Sequence, residues 1–286
     1  MPMYRYISVL SQLHHLVAFT LEKPKMRLEK GTLIVSVDVD VGSKEIGVKN
    51  KGENDANIHD YLREYSVGEI EEQALPLFID FFNSLEIPVT FAIRGQLTEV
   101  STSILDLLVK SPFKHDIGSH GYYHRDFTKL SITEAETELN MTLAGMKKFG
   151  IVPKSFVFPK NKVAYLSLLE NYGYKCYRGY GSFRNPNMYI EKRGQLYNIY
   201  PSFYLGQSFS PIFLNKIIDI AVKNKLPFHV WFHAWDFGKK IELIKRNINR
   251  VFHPIFQYAK KKEEKGTLTF ETMLSVAEKI EANKGG

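Results

Sequence analysis

The chain is nearly without cysteine: Cys176 is its one thiol in 286 residues. An internal disulfide is excluded, and so is a zinc or iron–sulfur site built from several thiolates. Any metal must be held by His, Asp or Glu. Long apolar runs are missing as well, since no stretch approaches the roughly 20 residues of a membrane-spanning helix. Repeats and low-complexity segments are absent. The N-terminus lacks a secretory pattern: its apolar stretch is broken by Ser11, Gln12, His14 and His15, and no small-residue cleavage site follows. We read residues 1–30 as a helical extension docked on a catalytic domain of residues 31–286, and expect a cytoplasmic protein.

What is present is globular. Hydrophobic residues make up 44% and charged residues 24% of the chain, which excludes disorder, collagen and coiled coil. The length suffices for a large core. The net charge is +7, with 11 Lys/Arg against 6 Asp/Glu in the stretch from Lys239 to Gly286. Lys260-Lys261-Lys262 runs straight into Glu263-Glu264-Lys265, a mixed solvated face. No nucleic-acid module accompanies the basic charge, so no nucleic-acid partner is expected. A basic surface also suits a phosphate-bearing substrate.

Strand-like and helix-like segments alternate, which points to an α/β fold with a parallel sheet. Thr32–Val39, Pro88–Ile93, His115–Ser119, Ser155–Phe158, Tyr174–Tyr177, Pro227–Phe232 and Thr267–Phe270 read as strands. Ile104–Val109, Ala164–Asn171, Pro211–Asn224 and Glu271–Glu281 read as helices. Ser66/Glu69 and Ser131/Glu134 are capping boxes, the second opening a helix to Phe149 that stops at Gly150. Residues 41–65 form a long polar loop, and the Gly-, Pro-, Asn- and Tyr-rich stretch 180–207 shows no clear period.

Three constellations fall at strand ends. In Val37-Asp38-Val39-Asp40, the two-residue period of a strand points both carboxylates to one face. They repel there unless one is protonated or a cation lies between them; the bland alternative is a pair of solvated turn residues. In His120-Gly-Tyr-Tyr-His124, the spacing puts two imidazoles on one side of a helical turn. With an upstream Asp these make a minimal two-His, one-carboxylate metal set. In Val230-Trp231-Phe232-His233-Ala234-Trp235-Asp236, an apolar strand ends in a His between both tryptophans. It reads either as a core His or as a general acid oriented by Asp236. Burial there pulls the imidazole pKa down, and a carboxylate such as Asp236 or Asp38 pushes it back toward neutrality.

In this order and spacing the motifs resemble the polysaccharide deacetylase family, the nodulation-protein-B-like carbohydrate esterases. The resemblance runs from about Thr32 to Ile280 and is most specific in Asp116-Ile-Gly-Ser-His-Gly-Tyr-Tyr-His124. It implies a distorted (β/α) barrel of about seven parallel strands. It also implies a divalent metal, zinc by default, on Asp40, His120 and His124, with Asp38 as general base and His233 as general acid. The substrate it implies is an N-acylated sugar or sugar derivative, with Tyr123, Lys160 and Trp235 as substrate contacts. The chain departs from the family twice. Val39 separates the usually adjacent Asp pair, and Val157 stands where the family has an Arg that orients the base. Lys160, Arg94 and Arg178 are the candidates to replace that Arg. Two other readings share the scaffold: hydrolysis of a non-sugar C–N bond, and a catalytically silent sugar-binding protein.

Overall fold

The computed structural model describes residues 28–40, 73–179, 189–206, 210–238 and 240–283. Most of the 1–30 extension, the loop 41–65 and the Ser66/Glu69 capping box lie outside them. Strands are β1 (Gly31–Val39), β2 (Thr90–Ile93), β3 (Asp116–Ser119), β4 (Ser155–Val157), β5 (Cys176–Arg178), β6 (Ile190–Arg193), β7 (Leu196–Ile199), β8 (Phe203–Tyr204), β9 (Pro227–His233) and β10 (Leu268–Glu271). Helices are α1 (Leu75–Ser84), α2 (Leu97–Val100), α3 (Thr102–Val109), α4 (Ile132–Lys147), α5 (Leu166–Asn171), α6 (Pro211–Asn224), α7 (Ile241–Asn247), α8 (His253–Glu264) and α9 (Met273–Ala282).

The strands form one sheet in the order β6-β7-β5-β4-β3-β2-β1-β9-β8, with β10 also on β1. One edge of β1 carries β9, and the other is shared by β10 along Gly31–Ile34 and β2 along Ser36–Val39. Among the described residues only the β6–β7 pairing is antiparallel. The α/β expectation therefore holds, with more strands than the seven foreseen. The additional ones are β6, β7 and β8, from the stretch whose sequence has no clear period. The lysine run 260–262, read as a solvated face, is the end of α8.

Alternation along β1 explains the layering. Leu33, Val35, Val37 and Val39 face outward into the largest core, beneath α1, α6 and α8. Ile34 faces inward, into a second core that α9 plugs with Met273, Val276, Ala277 and Ile280. Further up the same face come Ser36 and Asp38, buried and polar. The interior thus changes from apolar at the foot of β1 to polar at its C-terminal end. Because the sheet curls, strands far apart in its order meet across this interior, as Asp38 on β1 and Arg178 on β5 do. A third core packs α4 and α5 on the outside of β4 and β5.

Candidate active site and metal centre

Asp38 lies near the end of β1 and Asp40 just beyond it; both are buried. Arg178 takes the place of the Arg missing at Val157. The two positions are register partners on adjacent strands, so the guanidinium reaches the same level from one strand over. It donates to both carboxylate oxygens of Asp38, Nη1 to Oδ1 at 2.7 Å and Nη2 to Oδ2 at 2.5 Å, the bidentate geometry suited to arginine. Its flat face lies 4.4 Å from the Trp231 ring. Nη1 also donates to Ser36 Oγ at 2.9 Å, which is 2.8 Å from His229 Nε2. His229 Nδ1 lies 3.2 Å from the Ile199 carbonyl. A carbonyl only accepts, so Nδ1 carries the proton and Nε2 accepts from Ser36. Burial alone would raise the Asp38 pKa; the Arg178 charge, with His120 and His233, instead holds it well below the usual carboxylate range. The other candidates are otherwise engaged: Arg94 binds Gln96 and the Tyr123 carbonyl, and Lys160 is exposed.

The His120–His124 segment is not the helical turn that the spacing suggests. It is an irregular loop after β3, with φ of 69° at Gly121 and 60° at His124. Glu138, buried on α4, shapes it by accepting the backbone N–H groups of Tyr122 and Tyr123 at 2.6 and 2.8 Å. The imidazole centroids end up 4.8 Å apart. His120 Nδ1 donates to the Val157 carbonyl at 2.8 Å, which turns Nε2 into the interior. Trp235 Nε1 donates to Asp40 Oδ1 at 2.8 Å. His120 Nε2 and Asp40 Oδ2 are buried with no hydrogen-bond partner among the described residues. Asp40 Oδ2 lies 3.4 Å from His124 Nε2, and one donor atom from each of the three residues falls within 4.8 Å of the others.

Buried polar atoms without partners are costly and are what a cation would satisfy. The protonation states agree with that use. Burial lowers the pKa of His120, and lowers that of His124 to about 2, so both rings stay neutral. Neutral imidazoles and one carboxylate suit a divalent cation, and the residues fit the metal that the family implies.

His233 ends β9 and is the register partner of Asp38 on the adjacent strand. Its Nε2 lies 3.9 Å from Asp38 Oδ2. Asp236 Oδ2 accepts from the His233 backbone N–H at 2.7 Å and lies 3.1 Å from Nδ1. Tyr204, on β8, donates its hydroxyl to Asp236. Burial pulls the His233 pKa down, but the Asp236 hydrogen bond and the charges of Asp40 and Asp38 override it, pushing the group up to about 9. The balance near neutrality foreseen from one carboxylate becomes a rise because three surround the ring.

Asp38, Asp40, His120, His124 and His233 thus occupy one site. Of the expected substrate contacts, Tyr123 is half-buried within the His loop, Lys160 is exposed after β4, and Trp235 is half-buried. Lys160 adopts φ of 56°, and its charge is one of those disfavouring a protonated His124. The sequence reading passed over Glu138, which sits mid-helix with no local signal. It also left Ser36 unremarked, although its position two residues before Asp38 on one strand face offered a cue.

Residues 65–177 match the family model for polysaccharide deacetylase. Among solved structures the chain resembles a Mycobacterium smegmatis protein named as a polysaccharide deacetylase. The TM-score is 0.64 at 13% identity, over 92% of this chain and 96% of that one. Two further neighbours are a family 4 carbohydrate esterase from Streptomyces lividans in complex with acetate and a family 4 pseudoenzyme from Bacillus anthracis. The first has a TM-score of 0.46 at 14% identity, over 84% and 91% of the two chains. The second has a TM-score of 0.49 at 12% identity, over 89% and 69%. No curated protein matches the chain. Among the described residues no helix is long and apolar enough to cross a membrane. Over residues 65–177, the stretch that carries the His120–His124 loop, the chain is similar to the polysaccharide deacetylase family.

Proposed function

We propose that the chain is a metal-dependent deacetylase that removes the acyl group from an N-acylated sugar or sugar derivative. The observation that carries this reading is the meeting of three differently prepared groups in one pocket. They are a carboxylate clamped in its ionised form, an Asp-His-His set with unpaired donor atoms, and an imidazole held protonated by Asp236.

Asp40, His120 and His124 hold the cation, for which zinc is the first choice, and when bound it supplies Lewis acidity and a water of lowered pKa. Asp38 accepts the proton of the attacking water as general base. Arg178 keeps that carboxylate ionised and fixes the direction of its lone pairs. His233, protonated at neutral pH, gives its Nε2 proton to the departing amine nitrogen, which leaves poorly as an anion. Asp236 orients the ring through Nδ1, so Nε2 faces the reaction. Asp38 and His233 sit side by side on β1 and β9 rather than approaching from opposite sides. A purely sugar-binding role leaves this acid and base without use. The excess of basic residues favours a phosphate-bearing substrate, and we assign the protein to the cytoplasm.

The test is acetate release from a panel of N-acetylated amino sugars, free and phosphate-linked, by zinc-loaded protein, with small cyclic amides as the competing class. Turnover of the sugars that is lost in His120→Ala supports the reading. Turnover of the cyclic amides alone, or of neither class by protein shown to contain zinc, overturns it.

A further inference from the structure

We propose that Trp235 is a positioning residue that ties the metal ligand Asp40 to the acid His233. The proposal rests on the metal-dependent reading above and adds a residue to it. A carboxylate near a cation can offer either oxygen or both. Here the indole N–H engages Oδ1 at 2.8 Å. Among the described residues Oδ2 is left buried and without a hydrogen-bond partner, 3.4 Å from His124 Nε2. An indole only donates, so this bond selects which oxygen of Asp40 faces the donor set. The same ring lies on His233, with centroids 4.5 Å apart and planes at 20°.

The turn after β9 makes the arrangement rigid. Ala234 donates its N–H to the Asp38 carbonyl at 3.3 Å, and the Asp236 N–H reaches the His233 carbonyl at 3.1 Å. Four consecutive residues thus carry the acid, its orienting carboxylate and the group that orients the metal ligand. Trp235 uses its edge on the ligand and its face on the acid, which sets their spacing.

The two contacts can be separated by substitution. Trp235→Phe keeps an aromatic face for His233 and removes the N–H; Trp235→Ala removes both. Zinc chloride is titrated against the full chain in competition with a chromophoric chelator, and the melting temperature of each metal-free protein is recorded alongside. The expected result is zinc affinity roughly 10–100-fold weaker in both variants, the usual cost of losing a partner of a metal ligand, with the metal-free melting temperature of Trp235→Phe unchanged. At saturating zinc, kcat for acetate release falls further in Trp235→Ala than in Trp235→Phe, while KM stays the same. Wild-type affinity in a folded Trp235→Phe overturns the proposal. Should that variant not fold, Trp231→Phe leaves Trp235 as the sole indole; its emission must change on zinc addition, and a silent titration overturns the proposal. A wild-type protein that binds no zinc is a different failure, since it removes the metal-dependent reading itself and this inference with it.

Discussion

At the scale of single residues the site is a set of ionisations fixed by neighbours. Asp38 is ionised because Arg178 grips both its oxygens. Asp38→Asn therefore keeps zinc stoichiometry, measured by metal analysis after dialysis, while turnover falls roughly 10²–10⁴-fold, the range for a lost acid–base group. Loss of zinc together with activity would make Asp38 a ligand instead. Arg178→Lys keeps the charge but not the fork; kcat/KM should drop roughly 10–100-fold, as for other orienting partners, with zinc affinity nearly intact. His229 offers a pH test. Burial, reinforced by Arg178, lowers its pKa to about 3 in the folded protein, against an ordinary value near 6.5. The unfolded chain therefore takes up this proton first. Its contribution to stability is complete above about pH 6.5 and is lost as pH falls toward 3, at about 1.4 kcal/mol per pH unit. Urea unfolding between pH 7 and 4 should show a shallower slope in His229→Asn than in the wild type. Equal slopes would mean that His229 is already doubly protonated and charged in the fold.

At the scale of elements, the site depends on loops held by helices. Glu138 reaches from α4 to two backbone N–H groups of the His loop. Glu138→Ala leaves those donors buried and unpaired, which costs about 1–3 kcal/mol and loosens the loop. Unfolding free energy and zinc affinity should fall together; a loss of stability with unchanged zinc affinity would separate Glu138 from the site. Helix α4 itself packs closely on α2. A Cβ on Gly145 would lie 2.0 Å from Thr98 Oγ1, and Thr98 is itself held by a hydrogen bond to the Gly95 carbonyl. Gly145→Ala should therefore destabilise by about 1–3 kcal/mol through overpacking and leave zinc affinity unchanged. A midpoint equal to the wild type in urea would show that the helices part without cost. The capping box Ser131/Glu134 is formed as its sequence suggests. The helical turn read from His120 and His124 is not, because a single histidine spacing carries no hydrophobic period to support it. Nor did sequence pattern reveal β6–β8, which are short and pair at the sheet's ends.

At the scale of the whole molecule, a curled sheet collects groups from both halves of the chain. A ligand that binds the folded state alone stabilises it by about 2.7 kcal/mol at a hundredfold excess over Kd. Zinc at that level should raise the melting temperature of the wild type and do nothing for His120→Ala or His124→Ala. A shift of equal size in either variant would place the zinc elsewhere. Because Asp40 precedes His120 by a long stretch of chain, this stabilisation should vanish if the top of the barrel opens, even when the lower core around α9 stays packed.

The sequence alone determined the α/β class, since its strands and helices alternate and carry their own turn chemistry. It also singled out Asp38, Asp40, His120, His124 and His233, which the fold brings together. What it could not determine was which arginine holds Asp38. A strand's sequence records its own faces but not which strand lies beside it, and only the register of Val157 with Arg178 shows that the guanidinium arrives from β5. The part played by Trp235 was equally hidden. Its bond to Asp40 forms only because the curl of the sheet brings that carboxylate within reach of the indole N–H.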